Sequence, residues 1–374
     1  MVNTLFFIGV MSGSSLDGID VALTEITDKT ANNNCKIVAT HFQAYTNEIK
    51  QSLLSLHFPS ENELELSALM ANQLASCYAQ AVNTLLKRNN LKPSRISAIG
   101  CHGQTIRHQP TLDNDVGYTI QLGNNALLAE LTNITVVGDF RSRDIAAGGQ
   151  GAPLVPAFHQ AIFASKHKNR AIVNIGGIAN ISYLSSSGEV IGFDSGPGNI
   201  LLDHWVKLKL GKSYDADGTW SSKGSVQPDL LEAMLNDPYF SSPPPKSTGR
   251  DLFNEAWLSQ HIAELNASDE DIARTLLELT VITIHQHLMK RCHEVDEVYL
   301  CGGGTHNQLL VACLKQRLGN TTTRLTDDLG VNADWVEAVA FAWLAKQTIT
   351  HKPGNLPAAT GANGLRILGA IYLA

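Results

Sequence analysis

Two stretches of the chain share one pattern, and that pattern limits the fold more than any other feature. "LFFIGVMSGSSLDGIDVALTEI", residues 5–26, is an apolar run, a turn of glycine and hydroxyl residues, and a second apolar run. "RAIVNIGGIANISYLSSSGEVIGFD", residues 170–194, repeats it around Gly176 and Gly177 and adds a third strand. Short apolar runs bounded by small turn residues read as buried strands joined in hairpins. Each stretch opens a strand-rich segment that leads to a long helical pattern, so the chain reads as two related α/β halves. Its 374 residues suffice for two cores. The expected division is an N-terminal lobe over residues 1–138 and a C-terminal lobe over 139–374, with the C-terminal segment able to return to the first.

In the first half, "TEITDKTANNNCK" reads as a polar turn before the strand "IVATHFQAY". Leu66, Leu69, Met70, Leu74, Tyr78, Val82, Leu85 and Leu86 recur at helical spacing and predict a core-facing helix over 61–90, with Ser60 and Glu63 as a capping box. A strand "ISAIGC" then runs into "HGQTIRHQP", expected as a strand-end loop, followed by "YTIQLGN", a helix over 125–131 and the strand "ITVVGDF". In the second half a helix is predicted over 275–291, and "EVYLCGGGTHNQLLVACLKQRL" reads as strand, triple-glycine turn and helix. Three consecutive prolines make "YFSSPPPKSTGRDLFN" a loop inserted in that half.

Composition narrows the function. A net charge of −7 without any cluster of Lys and Arg argues against nucleic acid as a partner. Cys35, Cys77, Cys101, Cys292, Cys301 and Cys313 are scattered with no CxxC pair, which suggests neither a disulfide framework nor a zinc site and fits a reducing cytoplasm. No apolar run approaches the roughly 20 residues that span a bilayer, so no membrane partner is expected. The Walker, dinucleotide, lipase and zinc-protease signatures are all missing.

A turn of glycine and hydroxyl residues aims several backbone N–H groups one way and lets an anion approach closely. "SGSSLDG" adds the hydroxyls of Ser12, Ser14 and Ser15 and the carboxylate of Asp17, which could hold Mg²⁺. One such turn alone is as well read as a plain hairpin; a second in the equivalent place suggests a paired grip on a polyphosphate. Asp194 ends a buried strand before Ser195, Gly196, Pro197 and Gly198, where a carboxylate suits general-base work, or an Asx-turn or helix cap that Asn199 could also serve. Asp139, Arg141, Arg143 and Asp144 form either a salt-bridged rim or a site where arginine captures a carboxylate. His102, Gln104, Thr105, Arg107 and His108 suit a sugar or acid ligand, or are structural. "DADGTWSSKGSV" lacks a full Ca²⁺ loop and reads as a glycine turn capping a helix.

Taken together, "GVMSGSSLDGID", "HGQTIRH", "DFRSRDIAAGGQGAPLVPAFH", "NIGGIANIS", "GFDSGPGN", "PKSTGRDLFN" and "CGGGTHN" resemble, in order and along essentially the whole chain, the anhydro-N-acetylmuramic acid kinase family. That family belongs to the superfamily of sugar kinases, heat-shock chaperones and actin. The resemblance implies two related α/β lobes of the actin-like ATPase (ribonuclease H-like) type with an ATP cleft between them. It also implies an activity: hydrolytic opening of the 1,6-anhydro ring of the sugar with phosphorylation of O6 by ATP and Mg²⁺. Gly13, Ser14, Ser15, Leu16, Asp17, Gly18, Ile19 and Asp20 match the family's first ATP-phosphate turn, with Asp17 toward the metal. Gly176 and Gly177 match the second turn, and Gly302, Gly303, Gly304 and Asn307 the nucleotide side. Asp194 matches the catalytic base. Gln104, Thr105, Glu337 and one of Arg141 and Arg143 fall at the sugar and its lactyl carboxylate. Ser14 stands where Thr is common and keeps the hydroxyl; Ser142 stands where relatives can carry another Arg. A cytoplasmic homodimer is implied as well. The competing expectations are an ATP-switched actin-like or chaperone-like assembly protein and a kinase for an ordinary hexose.

Overall fold

The fold is that of a computed structural model, which describes residues 5–13, 15–27, 34–112, 115–263 and 266–374. The chain begins with strands β1 (Leu5–Met11), β2 (Gly18–Thr27) and β3 (Asn34–Ala44), then helices α1 (Asn47–Ser55) and α2 (Glu63–Arg88). Strands β4 (Ile96–Cys101), β5 (Gln104–Leu112) and β6 (Asp115–Leu122) follow, then α3 (Asn125–Thr132), β7 (Val136–Gly138), α4 (Ser142–Ala146) and α5 (Val155–Phe163). Next come β8 (Arg170–Ile175), β9 (Ile178–Leu184), β10 (Val190–Pro197), α6 (Ile200–Leu210), α7 (Pro228–Leu235), α8 (Pro238–Ser241), α9 (Glu255–Ile262) and α10 (Asp269–Arg291). The last elements are β11 (Glu297–Cys301), α11 (Gln308–Leu318), β12 (Thr322–Leu325), α12 (Val336–Ile349), α13 (Pro357–Thr360) and β13 (Ala370–Tyr372).

They form two compact α/β units, Met1–Ile162 with Trp335–Ala374, and Phe163–Asp334. The division expected at 138/139 therefore falls inside the first unit. The buried carboxylate of Asp144 is the physical reason: it accepts from Gly151 N (2.8 Å), Asn355 Nδ2 (2.9 Å) and Thr360 Oγ1 (2.8 Å), tying residues 144–151 to the returning C-terminal segment. Asp144 is thus a buried fastener and no part of a salt-bridged rim.

In the first unit the sheet order is β13-β7-β4-β1-β2-β3. β1 lies at its heart, antiparallel to β2 and parallel to β4, and Gly9 of β1 stands beside Gly100 of β4. Glycine in a strand interior marks close approach of another backbone. Here that backbone is α12: a Cβ on Gly9 would lie 1.7 Å from the Ala338 carbonyl oxygen, and one on Gly100 2.0 Å from that of Phe341. α2 contributes Leu74, Tyr78, Val82 and Leu85 to the core shared with Ile8, Val10 and Val21. Its start differs from expectation. Asn62, in the left-handed region, occupies the cap position without a capping bond, its Nδ2 donating to Glu65 Oε2 (2.7 Å), while Glu63 accepts from Ser60 N (3.2 Å) and pairs with Arg107. Leu69, expected in the core, is 61% exposed. Residues 104–112 form a strand paired with β6, in place of the expected loop. The expected turn over residues 28–33 lies outside the described residues.

In the second unit the order is β10-β9-β8-β11-β12, an antiparallel meander of three strands extended by parallel β11 and β12. Val173, Ile175, Ile181 and Phe193 face α10 through Leu276, Leu277 and Ile284. α10 starts ahead of residue 275, because the Ser268 hydroxyl accepts from Asp271 N (3.1 Å) and caps it. The Pro243–Pro245 run is loop between α8 and α9. Asp215 accepts from Trp220 N, Ser221 N and Ser221 Oγ, so its segment forms two short 3₁₀ turns where a glycine turn capping a helix was expected. No helix among the described residues is long and apolar enough to cross a membrane.

Candidate active site

In the first unit the turn after β1 is held from behind by buried polar groups. Ser12 Oγ bonds Tyr45 OH (2.7 Å) and donates to Gln104 Oε1, and Gln104 Nε2 donates to the Gly13 carbonyl (3.2 Å). Both heteroatoms of Gln104 therefore serve the turn; it was expected at the sugar. The turn closes with Leu16 N–H donating to Gly13 O (3.3 Å), and Asp17 Oδ1 accepts from Ser15 Oγ (2.6 Å) and Gly18 N (3.0 Å). Leu16 has φ 57°, a strained value for a residue with a γ-branched side chain, and burial of that side chain in the core holds it there. Ile19 is likewise a core residue, and Asp20 pairs with Met11 at the mouth of the hairpin. Ser14 lies outside the described residues.

His102 links this turn to Arg141. Burial and then the Arg141 charge push its pKa down to about 3, so the ring is neutral. Nε2 accepts from Arg141 Nη2 (2.8 Å), which leaves the proton on Nδ1 to donate to the Ser12 carbonyl (3.2 Å). Arg141 also donates to the Gly151 carbonyl (2.7 Å). Arg143 is exposed and makes no hydrogen bond among the described residues. Thr105 is half-buried, its hydroxyl accepting from Gln121 Nε2 (3.2 Å). Glu337 is half-buried in the first turn of α12, which the two glycines seat against the sheet. Two further candidates are engaged with protein groups: Arg107 binds Glu63 (2.9 Å) and the Leu56 carbonyl (3.0 Å), and His108, pushed down to about 4 by burial, bonds the Thr119 hydroxyl (3.0 Å), while its buried Nε2 meets no partner among the described residues. Asp139 accepts from the Ser142 hydroxyl.

In the second unit the Gly176–Gly177 turn is bonded to the start of α6. Gly198 N and Ile200 N donate to Gly177 O (2.9 and 3.1 Å) and Asn199 N to Gly176 O (2.9 Å). Close packing requires the glycine at 198, where a Cβ would lie 2.3 Å from Gly176 O. Asp194 does not cap α6. Its Oδ2 accepts from Thr248 N (3.0 Å), its backbone N–H donates to the Lys246 carbonyl (3.1 Å), and its carbonyl accepts from Tyr239 OH (2.8 Å). A buried carboxylate fixed in this way on a rigid strand is suited to take a proton.

Sequence reasoning missed what surrounds it. Lys246 is 5% exposed; its Nζ donates to the Tyr239 carbonyl (2.8 Å) and His287 Nε2 (3.0 Å) and lies 4.3 Å from the Tyr239 ring centre. Burial, with Arg291, pushes it down to about 8 against the pull of Asp194. His287 is pushed to about 4 by burial and Lys246. The signal was "PKSTGRDLFN", one of the stretches that carry the resemblance, which assigned Lys246 and Thr248 no role.

At the third turn Gly302 has φ 83° and, with Gly304, lies flat on the end of β8, while the Cβ position of Gly303 is open. Asn307 Oδ1 caps α11 by accepting from Leu310 N (3.0 Å). Among the described residues no three His, Cys, Asp or Glu side chains cluster as metal ligands.

Two α/β units, each led by a glycine-turn hairpin, with a buried carboxylate fixed within β10, form an arrangement that a kinase can use. The anhydro-N-acetylmuramic acid kinase family profile matches residues 5–374, and the chain belongs to that family. The anhydro-N-acetylmuramic acid kinase of Nitrosomonas europaea is 53% identical over 98% of this chain and 99% of its own length. That of Nitrosospira multiformis is 50% identical over 98% of both. Among solved structures, (R)-2-hydroxyglutaryl-CoA dehydratase component A of Acidaminococcus fermentans is similar at TM-score 0.47 and 11% identity, over 90% of this chain and 96% of that one.

Proposed function

We propose that this chain opens the 1,6-anhydro ring of 1,6-anhydro-N-acetylmuramic acid with water and phosphorylates O6 from ATP, giving N-acetylmuramic acid 6-phosphate and ADP. The observation that carries the reading is the full-length match to a family of that name. Asp194 takes the proton of the water that attacks the anomeric carbon. The bond from that carbon to O6 breaks, and O6 attacks the γ-phosphorus as ADP departs. Direct transfer to phosphorus spares a poor alkoxide leaving group from being released free. Thr248 N and the backbone bonds to Lys246 and Tyr239 keep the base in place through the step.

The turns at Gly13–Asp20 and Gly176–Gly177 take the ATP phosphates, and Gly302–Gly304 with Asn307 the nucleoside side. Asp17 fits a role at Mg²⁺, since it is exposed and only Oδ1 is occupied by the turn; the ion would supply positive charge to offset that of the phosphates. Arg143, exposed and uncommitted, receives the lactyl carboxylate, while Arg141 positions His102 and the Gly151 loop. Thr105 and Glu337 bind the sugar. The family resemblance supports a cytoplasmic homodimer.

The test is turnover of the anhydro-sugar with ATP in ¹⁸O-water: label is expected at the anomeric oxygen of a phosphorylated product, and unlabelled product contradicts the hydrolytic half. Asp194→Asn is expected to lower kcat by at least about 10³-fold with ATP affinity within a few-fold of the parent; a variant that keeps turning over removes Asp194 as the base.

A further inference from the structure

Asn174, Asn180 and Asp194 stand side by side across β8, β9 and β10, each directly opposite its neighbour. Directly opposed residues send their side chains to one face, with adjacent Cβ atoms about 4.5–5.5 Å apart. Val173, Ile175, Ile181 and Phe193 face the apolar core, so alternation puts the three polar residues on the other face. Asn174 is 3% exposed. The Oδ1 atoms of both Asn174 and Asn180 are buried, and neither meets a hydrogen-bond donor among the described residues. Folded proteins leave few buried acceptors in that condition, and each needs a donor from elsewhere, such as water or a ligand. Ionised Asp194 is also an acceptor only.

We propose that Asn180 holds the nucleophilic water jointly with Asp194, a role that rests on the hydrolytic reading above. Two acceptors at this spacing bracket one water, which donates a hydrogen to each. Its lone pairs then point away from both, toward the carbon to be attacked. In the reaction the water oxygen bonds the anomeric carbon and the carbon–O6 bond breaks. The proton facing Asp194 moves to the carboxylate; the proton on Asn180 Oδ1 stays with the new hydroxyl. Asn174 lies two strands from Asp194, roughly 9.5 Å, and is too far to share that water. Asn180 is a positioning residue, because it acts through the water and gains no proton itself.

The pair also selects the nucleophile. Methanol has a single O–H and satisfies one acceptor at most, so the parent enzyme discriminates against it. The experiment runs the full chain with anhydro-sugar and ATP in aqueous methanol and measures, by mass, the ratio of methyl glycoside 6-phosphate to reducing sugar 6-phosphate. Asn180→Leu, similar in size and without an acceptor, is expected to lower kcat roughly a hundredfold and raise the methanol ratio about tenfold, with ATP affinity retained. Asn180→Asp keeps an acceptor and adds a charge beside Asp194. It is expected to keep the parent ratio and to move the acid limb of the kcat profile to higher pH. If Asn180→Leu does not fold, Asn180→Ala is read the same way. An acceptor-free variant with the parent ratio, or Asn180→Asp losing discrimination as Asn180→Leu does, overturns the proposal. Parent enzyme that leaves the anhydro-sugar untouched overturns the hydrolytic reading itself, which separates the two failures.

Discussion

Arg141 and Arg143 sit two positions apart, yet their surroundings give them different work. Arg143→Ala is expected to raise KM for the sugar about ten- to a hundredfold, the worth of charge-assisted hydrogen bonds to a carboxylate, with stability changed by less than about 0.5 kcal/mol. Arg143→Lys recovers only part, since an ammonium cannot form the two parallel bonds. Arg141→Ala leaves the buried His102 Nε2 and the Gly151 carbonyl without that donor. It is expected to cost about 1–3 kcal/mol of stability as well as activity. Urea denaturation beside steady-state kinetics checks both; an Arg143 variant with the parent KM would return the carboxylate to Arg141.

Among the elements, α12 depends on two missing side chains. Gly9→Ala and Gly100→Ala each drive a methyl group into a helix carbonyl, and both are expected to cost about 3 kcal/mol or more, or to prevent folding, with Glu337 displaced along with the helix. Unchanged denaturation midpoints would show that α12 has room to shift. This contact was not legible in the sequence, where Gly9 and Gly100 read only as small residues in apolar strands. The hairpins were legible, because a cluster of glycine and hydroxyl residues between two apolar runs has few other solutions. So were α2, through its 3.6-residue period, and α11, as the helix after a strand and a triple-glycine turn. "HGQTIRHQP" was misread because its polar residues, which alternate in burial along β5, look like a loop when no partner strand is in view. The Lys246–Thr248 clamp on Asp194 joins residues about 50 apart through a loop without periodicity, and no local pattern encodes it.

For the whole molecule, four histidines set the response to acid. Burial is the main cause that pushes His102 and His159 down to about 3 and His108 and His287 to about 4, from an ordinary 6.5. Between pH 6.5 and about 4 the unfolded chain binds a proton at each site and the folded chain does not. Stability therefore falls with falling pH, by about 1.4 kcal/mol per pH unit for each fully titrating site. Lys246 acts at the other end: between pH 8 and 10.5 the unfolded chain holds the extra proton, so stability rises with pH there. Urea midpoints that stay level from pH 7 to 5 would contradict the histidine assignment. The division of the chain also bears on its synthesis. The first unit is discontinuous, and the helix that covers Gly9 and Gly100 leaves the ribosome only after all of residues 163–334 have been made. At about 5–20 residues per second that is a delay of roughly 10–30 s. Through that interval the β1–β4 sheet surface waits uncovered while the continuous unit is free to fold, so the nascent chain is most exposed to chaperones and proteases at the segment that came out first.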